Sequence, residues 1–241
     1  MFNLRFDFCG LHRHGPAFWD FLRLRKEVFV DQLKWDIPHN ETIEMDQYDT
    51  PVAHYSLVMQ DGVVVGGARA MPTTATWGEH TYMLRDAYSG KLPHIPAHVM
   101  SVEIASPMVW ECTRLVISDV LTTQRDRSEC LRLIVDGLVE IANAHGANEL
   151  ICLSSLALMR ALRQLGYDAT RLGEPYRNDE DGRLYAVLKM PTTYSIQHAS
   201  RKVGSEHLQR HRRPEIVDRT PSLIPVIVRP ALAEPRIALA G

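Results

Sequence analysis

Apolar positions along the chain switch between helical and alternating spacing, and the switches mark out an order of elements. From Ala17 to about Leu33, the residues Phe18, Phe21, Leu22, Val28, Phe29 and Leu33 recur at helical spacing and predict an amphipathic helix. Ala53–Gln60 and Val63–Met71 read as strands joined by Asp61-Gly62, a strong hairpin signal. Pro72 to Pro107 scatters Gly, Pro and His between short apolar pieces and predicts loops with one short helix. Val109–Ser118 is a third strand. Polar Thr122–Ser128 then leads into a helix whose inward stripe is Leu131, Ile134, Leu138 and Ile141, and which Gly146 stops. A strand at Glu149–Leu153, a helix from Ser155 to about Leu165 closed by Gly166, and a strand at Tyr185–Met190 follow. This alternation predicts one α/β layered domain over residues 1–190. From Pro191 to Gly241 the chain turns Pro- and Arg-rich, which predicts an extended or partly disordered extension.

Four charged residues interrupt these apolar elements. Arg25 lies three after Leu22 and four before Phe29, on the face that should pack inward, so it is either functional or a snorkelling helix arginine. Arg69 shares a strand face with Val65, Gly67 and Met71. Gly66 and Gly67 beside it imply close approach by a ligand or another backbone, against the alternative of an edge-facing charge. Glu111 sits in the run Val109-Trp-Glu-Cys-Thr-Arg-Leu-Val-Ile-Ser118, with Arg114 three residues on. Strict alternation puts the two on opposite faces, and a bulge would change that. Burying either charge costs several kcal/mol unless it is paired or hydrogen-bonded, so Glu111 belongs either to a structural ion pair or to a site.

Composition narrows the function classes. The 241 residues carry a net charge of −2, with 45% hydrophobic residues. That balance gives no electrostatic footprint for nucleic acid, and no apolar run reaches the roughly 18 residues of a membrane span. The charged N-terminus, Met1 to Cys9, lacks a signal-peptide core, so a cytoplasmic protein is expected. Cys9, Cys112, Cys130 and Cys152 lie far apart, which argues for reduced thiols and no zinc site. No G-x-S-x-G, H-E-x-x-H or G-x-x-x-x-G-K motif is present.

The segment Leu33-Lys-Trp-Asp-Ile-Pro-His-Asn40 reads as a loop with Trp35 at its root, and Glu44-Met-Asp-Gln-Tyr-Asp49 sets three carboxylates within six residues. Alone, such a run is as readily a solvated acidic loop as a site. In order, however, Arg25-Lys-Glu-Val-Phe29, Leu33-Lys-Trp35, Glu44 to Asp49, Gly66-Gly-Ala-Arg69, Pro72-Thr73-Thr74, Tyr82-Met-Leu84 and Glu111-Cys-Thr-Arg114 resemble the acyl-homoserine-lactone synthases, the autoinducer synthase family, over roughly Leu22 to Met190.

The resemblance implies an acetyltransferase-like three-layer sandwich, with a mixed, twisted central sheet flanked by helices and an acyl cleft where two central strands part. It implies acyl transfer to S-adenosylmethionine from an acyl thioester on acyl carrier protein or coenzyme A, with release of methylthioadenosine and no cofactor or metal. It places S-adenosylmethionine at Arg25, Phe29, Trp35, Asp46, Asp49 and Arg69, catalysis at Glu111 and Arg114, and the acyl or pantetheine group at Tyr88 and Thr113. Thr122–Ser128 lacks the glycines with which acetyltransferases cradle a pyrophosphate, which leaves Arg125 and Arg127 as basic contacts, or simply as exposed helix-start arginines. Tyr88 stands where the family usually has Phe, and Cys112-Thr113 where small hydroxyl residues are common. A same-fold acyltransferase for another amine and a non-catalytic ligand-sensing homologue are the rival readings.

Overall fold

The structure, a computed structural model, describes residues 1–193. Among the described residues eight strands form one sheet: β1 (Phe2–Asp7), β2 (His54–Gln60), β3 (Val63–Pro72), β4 (Val109–Ile117), β5 (Glu149–Ser155), β6 (Thr170–Arg171), β7 (Tyr176–Arg177) and β8 (Leu184–Pro191). Their order is β1-β2-β3-β4-β5-β8-β6, with β7 also paired to β8. All neighbours are antiparallel except β4 and β5. One face is covered by α1 (Ala17–Arg25), with α2 (Met83–Tyr88) packed into the same apolar cluster. The other is covered by α3 (Gln124–Ala144) and α4 (Leu156–Gln164). This is the expected three-layer α/β sandwich.

Local chemistry accounts for most boundaries. Asp61 and Gly62 both take positive φ, 51° and 81°, as a tight β2–β3 hairpin requires. Thr123 caps α3 by accepting the Asp126 amide at 3.0 Å. Glycine at positive φ follows both helices, Gly146 at 77° after α3 and Gly166 at 95° after α4. The predicted helix to Leu33 is one element in space but changes character: Lys26–Gln32 widens to a π turn, with the Leu33 amide bonding the Val28 carbonyl at 3.0 Å.

One expectation is overturned and two are refined. Val65 does not share a face with Arg69, because a register shift against β2 turns Val65 toward α3 while Gly67, Arg69 and Met71 face α1. The close approach expected at the paired glycines is made by the Val116 carbonyl, which would lie 3.0 Å from a Cβ at Gly66, and by neighbouring side chains. A Cβ at Gly66 would lie 2.6 Å from Cys130 Sγ, and one at Gly67 2.5 Å from Leu57 Cδ2 and 3.0 Å from Phe21. The compact domain also runs past residue 190, since Pro191 closes β8 and the buried Thr192 donates its amide to Asn148 at 2.9 Å. The rest of the predicted extension, from residue 194, lies outside the described residues.

Two features of the sheet position the site. Strands β4 and β5 pair only through Val109–Glu111 and Glu149–Ile151. Each then runs on without the other, so the sheet opens beyond Glu111. Near the same point β4 is bulged against β3, between the Arg69–Thr113 and Gly67–Val116 pairs, and Arg114 takes φ 56°. The bulge inverts the facing of the strand. Glu111 and Thr113 face the α1 side before it, Arg114 and Val116 face the same side after it, and Leu115 and Ile117 turn toward α3.

Candidate active site

On the α1 side of the sheet, three guanidinium groups meet three carboxylates. Arg25, from the last turn of α1, donates Nε to Glu44 at 2.5 Å and its two terminal nitrogens to Asp49 at 2.9 and 3.0 Å. Arg69, from β3, grips Asp46 with both terminal nitrogens, at 2.5 and 3.1 Å, and lies 2.9 Å from Asp49. Arg114 reaches Glu44 at 3.2 Å and Asp46 at 2.7 Å. Arg25, Arg69 and Glu44 are fully buried, and Arg114, with 10% of its side chain exposed, is the most open of the six. Formal charges cancel, and each guanidinium binds at least two carboxylates, which is how so much charge is held away from water.

The electrostatics follow from this pairing. Burial alone would raise the carboxyl groups of Asp46 and Asp49, but the facing arginines overcome it and hold both below the usual carboxylate range. Arg25 is likewise opposed by burial and kept charged by Asp49 and Glu44. The non-functional alternatives raised for Arg25, Arg69 and the acidic run are thus overturned. Arg25 does not snorkel, Arg69 lies on an inner strand and not at an edge, and the 44–49 run is not solvated. Cation–π contacts add to the pairing, with Arg25 over Phe21 at 5.4 Å, Arg69 over Tyr48 at 5.6 Å and Arg114 over Phe29 at 5.6 Å.

Glu111 does not pair with Arg114, so the ion-pair alternative is overturned as well. Its oxygens accept the amides of Met83 and Leu84 at 2.9 and 2.8 Å. Burial pushes its carboxyl up to about 7, against the opposing pull of those two amides and of Arg69. A carboxylate in this range is matched to taking a proton near neutral pH.

The other expected residues divide. Phe29 stacks on Trp35 with ring centroids 5.0 Å apart and planes 9° from parallel, beside Arg114. Trp35 also donates Nε1 to Asp181 at 3.3 Å, and the Asp36 amide donates to Glu180 at 3.0 Å, which ties the 33–40 loop to the segment before β8. The Thr113 hydroxyl accepts Arg69 Nε at 3.1 Å, which ties it to the charged group. Tyr88 ends α2 at 39% exposure. Arg127 donates to the carbonyls of Ser118 and Leu121 and to Asp119, at 3.3–3.4 Å, and so closes the turn before α3. Arg125 is exposed beside it. Neither arginine joins the charged group.

Sequence reasoning missed several members. Glu44 was visible inside the acidic run without a role of its own; in the fold Glu44, Asp46 and Tyr48 are buried, while Ile43, Met45 and Gln47 are only half-buried. Tyr55, which donates to Asp49 at 2.9 Å, and Asp86, which accepts from Tyr48 at 3.0 Å, carried no local signal.

Comparison with known proteins decides the family. A sequence model of the autoinducer synthase family matches residues 12–199. The chain belongs to the autoinducer synthase family. An acyl-homoserine-lactone synthase of Acinetobacter nosocomialis is 32% identical over 167 residues, covering 66% of this chain and 84% of that one. The crystal structure of TofI in a ternary complex with an inhibitor and MTA superposes with a TM-score of 0.64 at 28% identity, over 80% of this chain and 92% of that one. The CoA-dependent acyl-homoserine lactone synthase BjaI, solved with SAM and isopentyl-CoA, shares the fold, with a TM-score of 0.63 at 19% identity over 83% and 88% of the two chains. This autoinducer synthase has no helix among its described residues long and apolar enough to cross a membrane, and no group of three or more His, Cys, Asp and Glu among them that could hold a metal ion.

Proposed function

We propose that this chain makes an N-acyl-homoserine lactone from S-adenosylmethionine and an acyl thioester, releasing methylthioadenosine, and that it works in the cytoplasm, where both substrates are made. The observation that carries this reading is the charged group itself, three arginines and three carboxylates buried together on one face of a family member, with Glu111 within electrostatic range of Arg69 and Asp46. S-adenosylmethionine brings an ammonium, a carboxylate and a sulfonium cation. Asp46 and Asp49 suit the ammonium, Arg25, Arg69 or Arg114 the carboxylate, and the stacked Phe29–Trp35 pair the sulfonium and its adenosine. Arg114, the most open member, is the natural point of exchange between internal and substrate partners.

Acylation needs a neutral amine. A free α-amine has a pKa of about 8, so a base near 7 removes its proton at little cost, and Glu111 is the group placed to do so, directly or through one water. The amine nitrogen attacks the thioester carbonyl, the carbon–sulfur bond breaks, and the thiol of pantetheine leaves. The acyl chain enters where β4 and β5 part beyond Glu111, with Tyr88 and the exposed Arg125 as outlying contacts for chain or pantetheine. Lactone closure follows as attack by the methionyl carboxylate on the carbon bearing the sulfonium. That step is intramolecular, effective molarities of ~10⁵ M or more are available, and the departing thioether needs no proton. No redox or Lewis-acid step enters this chemistry.

The test is purified protein incubated with S-adenosylmethionine and a panel of acyl-carrier-protein and coenzyme A thioesters, read by mass spectrometry. Lactone and methylthioadenosine should appear in equal amounts. Acylation of another amine without methylthioadenosine would put the chain among general acyltransferases, and no turnover with any thioester would leave it a binding protein.

A further inference from the structure

The residues that would bind the amine and the residue that would deprotonate it sit on separate segments, the 44–49 loop and β4. A buried carboxylate outside both, Asp86 in α2, is 1% exposed and accepts from four directions. Tyr48 donates its phenol at 3.0 Å, His80 approaches through Nδ1 at 3.1 Å, and Thr81 donates its hydroxyl at 2.7 Å and its amide at 3.2 Å, with Lys91 3.7 Å away. Burial opposes its ionised form, and the bonds from Thr81, His80 and Tyr48 reverse that, so it stays ionised. Tyr48 lies between two carboxylates of the charged group. Its amide donates to Asp46 at 2.9 Å, and its ring carries the Arg69 guanidinium. The same α2 begins with the two amides that Glu111 accepts. One side of α2 therefore holds the amine-binding loop, and its first turn holds the base.

We infer that Asp86 is a positioning residue for the acyl-transfer step: through Tyr48 it fixes the 44–49 loop against α2, and so sets the distance between the bound amine and Glu111. The inference rests on the proposed lactone synthesis. Asp86 has no direct role in the chemistry. Losing the tie lets Asp46 shift relative to Glu111, and a misplacement of about 1 Å is enough for a loss of ~10²-fold in kcat/KM. It also loosens the first turn of α2. Glu111 then keeps less of its two amide bonds, which favour its ionised form, and the ascending limb of the pH–rate profile moves upward. The groups facing Glu111 that share this field are Arg69, Asp46, Tyr48, Tyr82, Cys112 and Cys152. Those facing Asp86 are Tyr48, His80 and Lys91.

The experiment is a double-mutant cycle of Asp86→Asn and Tyr48→Phe, with kcat, KM for S-adenosylmethionine and the pH profile of kcat/KM measured on each soluble protein. Each single variant should raise KM and lower kcat/KM by about 10²-fold, the double variant should be no worse than the weaker single one, and the ascending limb should move up in all three. Additive losses with an unmoved limb would overturn the tie. If Asp86→Asn fails to fold, Tyr48→Phe decides alone, since it removes one hydroxyl and leaves the Thr81 and His80 bonds to Asp86; unchanged kinetics in it would overturn the proposal. Wild type that makes lactone while the variants behave additively refutes this inference only, whereas wild type that makes none refutes the reading beneath it.

Discussion

Replacing Glu111 by Gln separates what its burial costs from what its charge does. In the folded chain the carboxyl titrates at about 7, against an ordinary value of 4.5, which corresponds to about 3 kcal/mol of preference for the neutral form. The folded pKa is raised, so the stability that goes with the bound proton is fully present below pH 4.5 and is lost as the pH rises through about 7. Gln stays neutral throughout and escapes that loss. It has only one acceptor oxygen for the amides of Met83 and Leu84, which costs about 1–3 kcal/mol at every pH. The variant is therefore expected to melt below wild type at pH 5 and to match or exceed it at pH 8, a swing of roughly 6–12 °C for a domain of this size. Thermal melts from pH 5 to 8.5 measure the swing directly. Initial rates on the same preparations should fall by ~10²- to 10⁴-fold in kcat/KM, with the ascending limb moving from near 7 toward the pKa of the free amine, about 8. A difference in melting temperature that does not change with pH would refute the raised pKa, and a variant that turns over normally would remove Glu111 from the chemistry.

Two further outcomes follow from the same geometry. Arg69→Met removes one of the two arginine partners of Asp46, leaving Arg114, and one partner of Asp49 inside the fold, and should lower stability by about 3–5 kcal/mol by chemical denaturation while abolishing product; a variant of unchanged stability would mean that the pairing is not as described. The 33–40 loop should become resistant to limited proteolysis near Trp35 when S-adenosylmethionine fills the site beside the Phe29–Trp35 stack, and cleavage that is unchanged at saturation would count against that stack as part of the binding site.

The layers of this fold are written plainly in its apolar periodicity, because α3 and the β2–β3 hairpin each bury a face that their spacing announces. The buried charges of the site were legible for a different reason. Arg25, Arg69 and Glu111 each break an apolar pattern, and a charge that interrupts a buried face must find a partner. What the sequence could not carry was the pairing. The bulge at Arg114 turns it to the side of Glu111, yet its partners come from the 44–46 segment, about 70 residues earlier in the chain. Strand β1 lay unread because its alternation, Phe2, Leu4 and Phe6, is short, and its outermost residue, Phe2, stays exposed. Asp86 and Tyr55 looked ordinary because their meaning comes only from the residues they meet in space. The paired glycines of β3 show the limit of reading a single residue type, since close packing by Phe21 and Cys130 leaves the same mark as a ligand.

The central claim is that one site both acylates the amine of S-adenosylmethionine and lets its own carboxylate close the ring. Turnover of S-adenosylmethionine labelled with ¹⁸O in both carboxylate oxygens tests it in one mass spectrum of the product. Attack by the carboxylate on the carbon bearing the sulfonium makes no bond to solvent oxygen, so the lactone should retain both heavy atoms, with methylthioadenosine released beside it. A lactone that has lost one of them, or an acylated product with its sulfonium intact, would contradict the account.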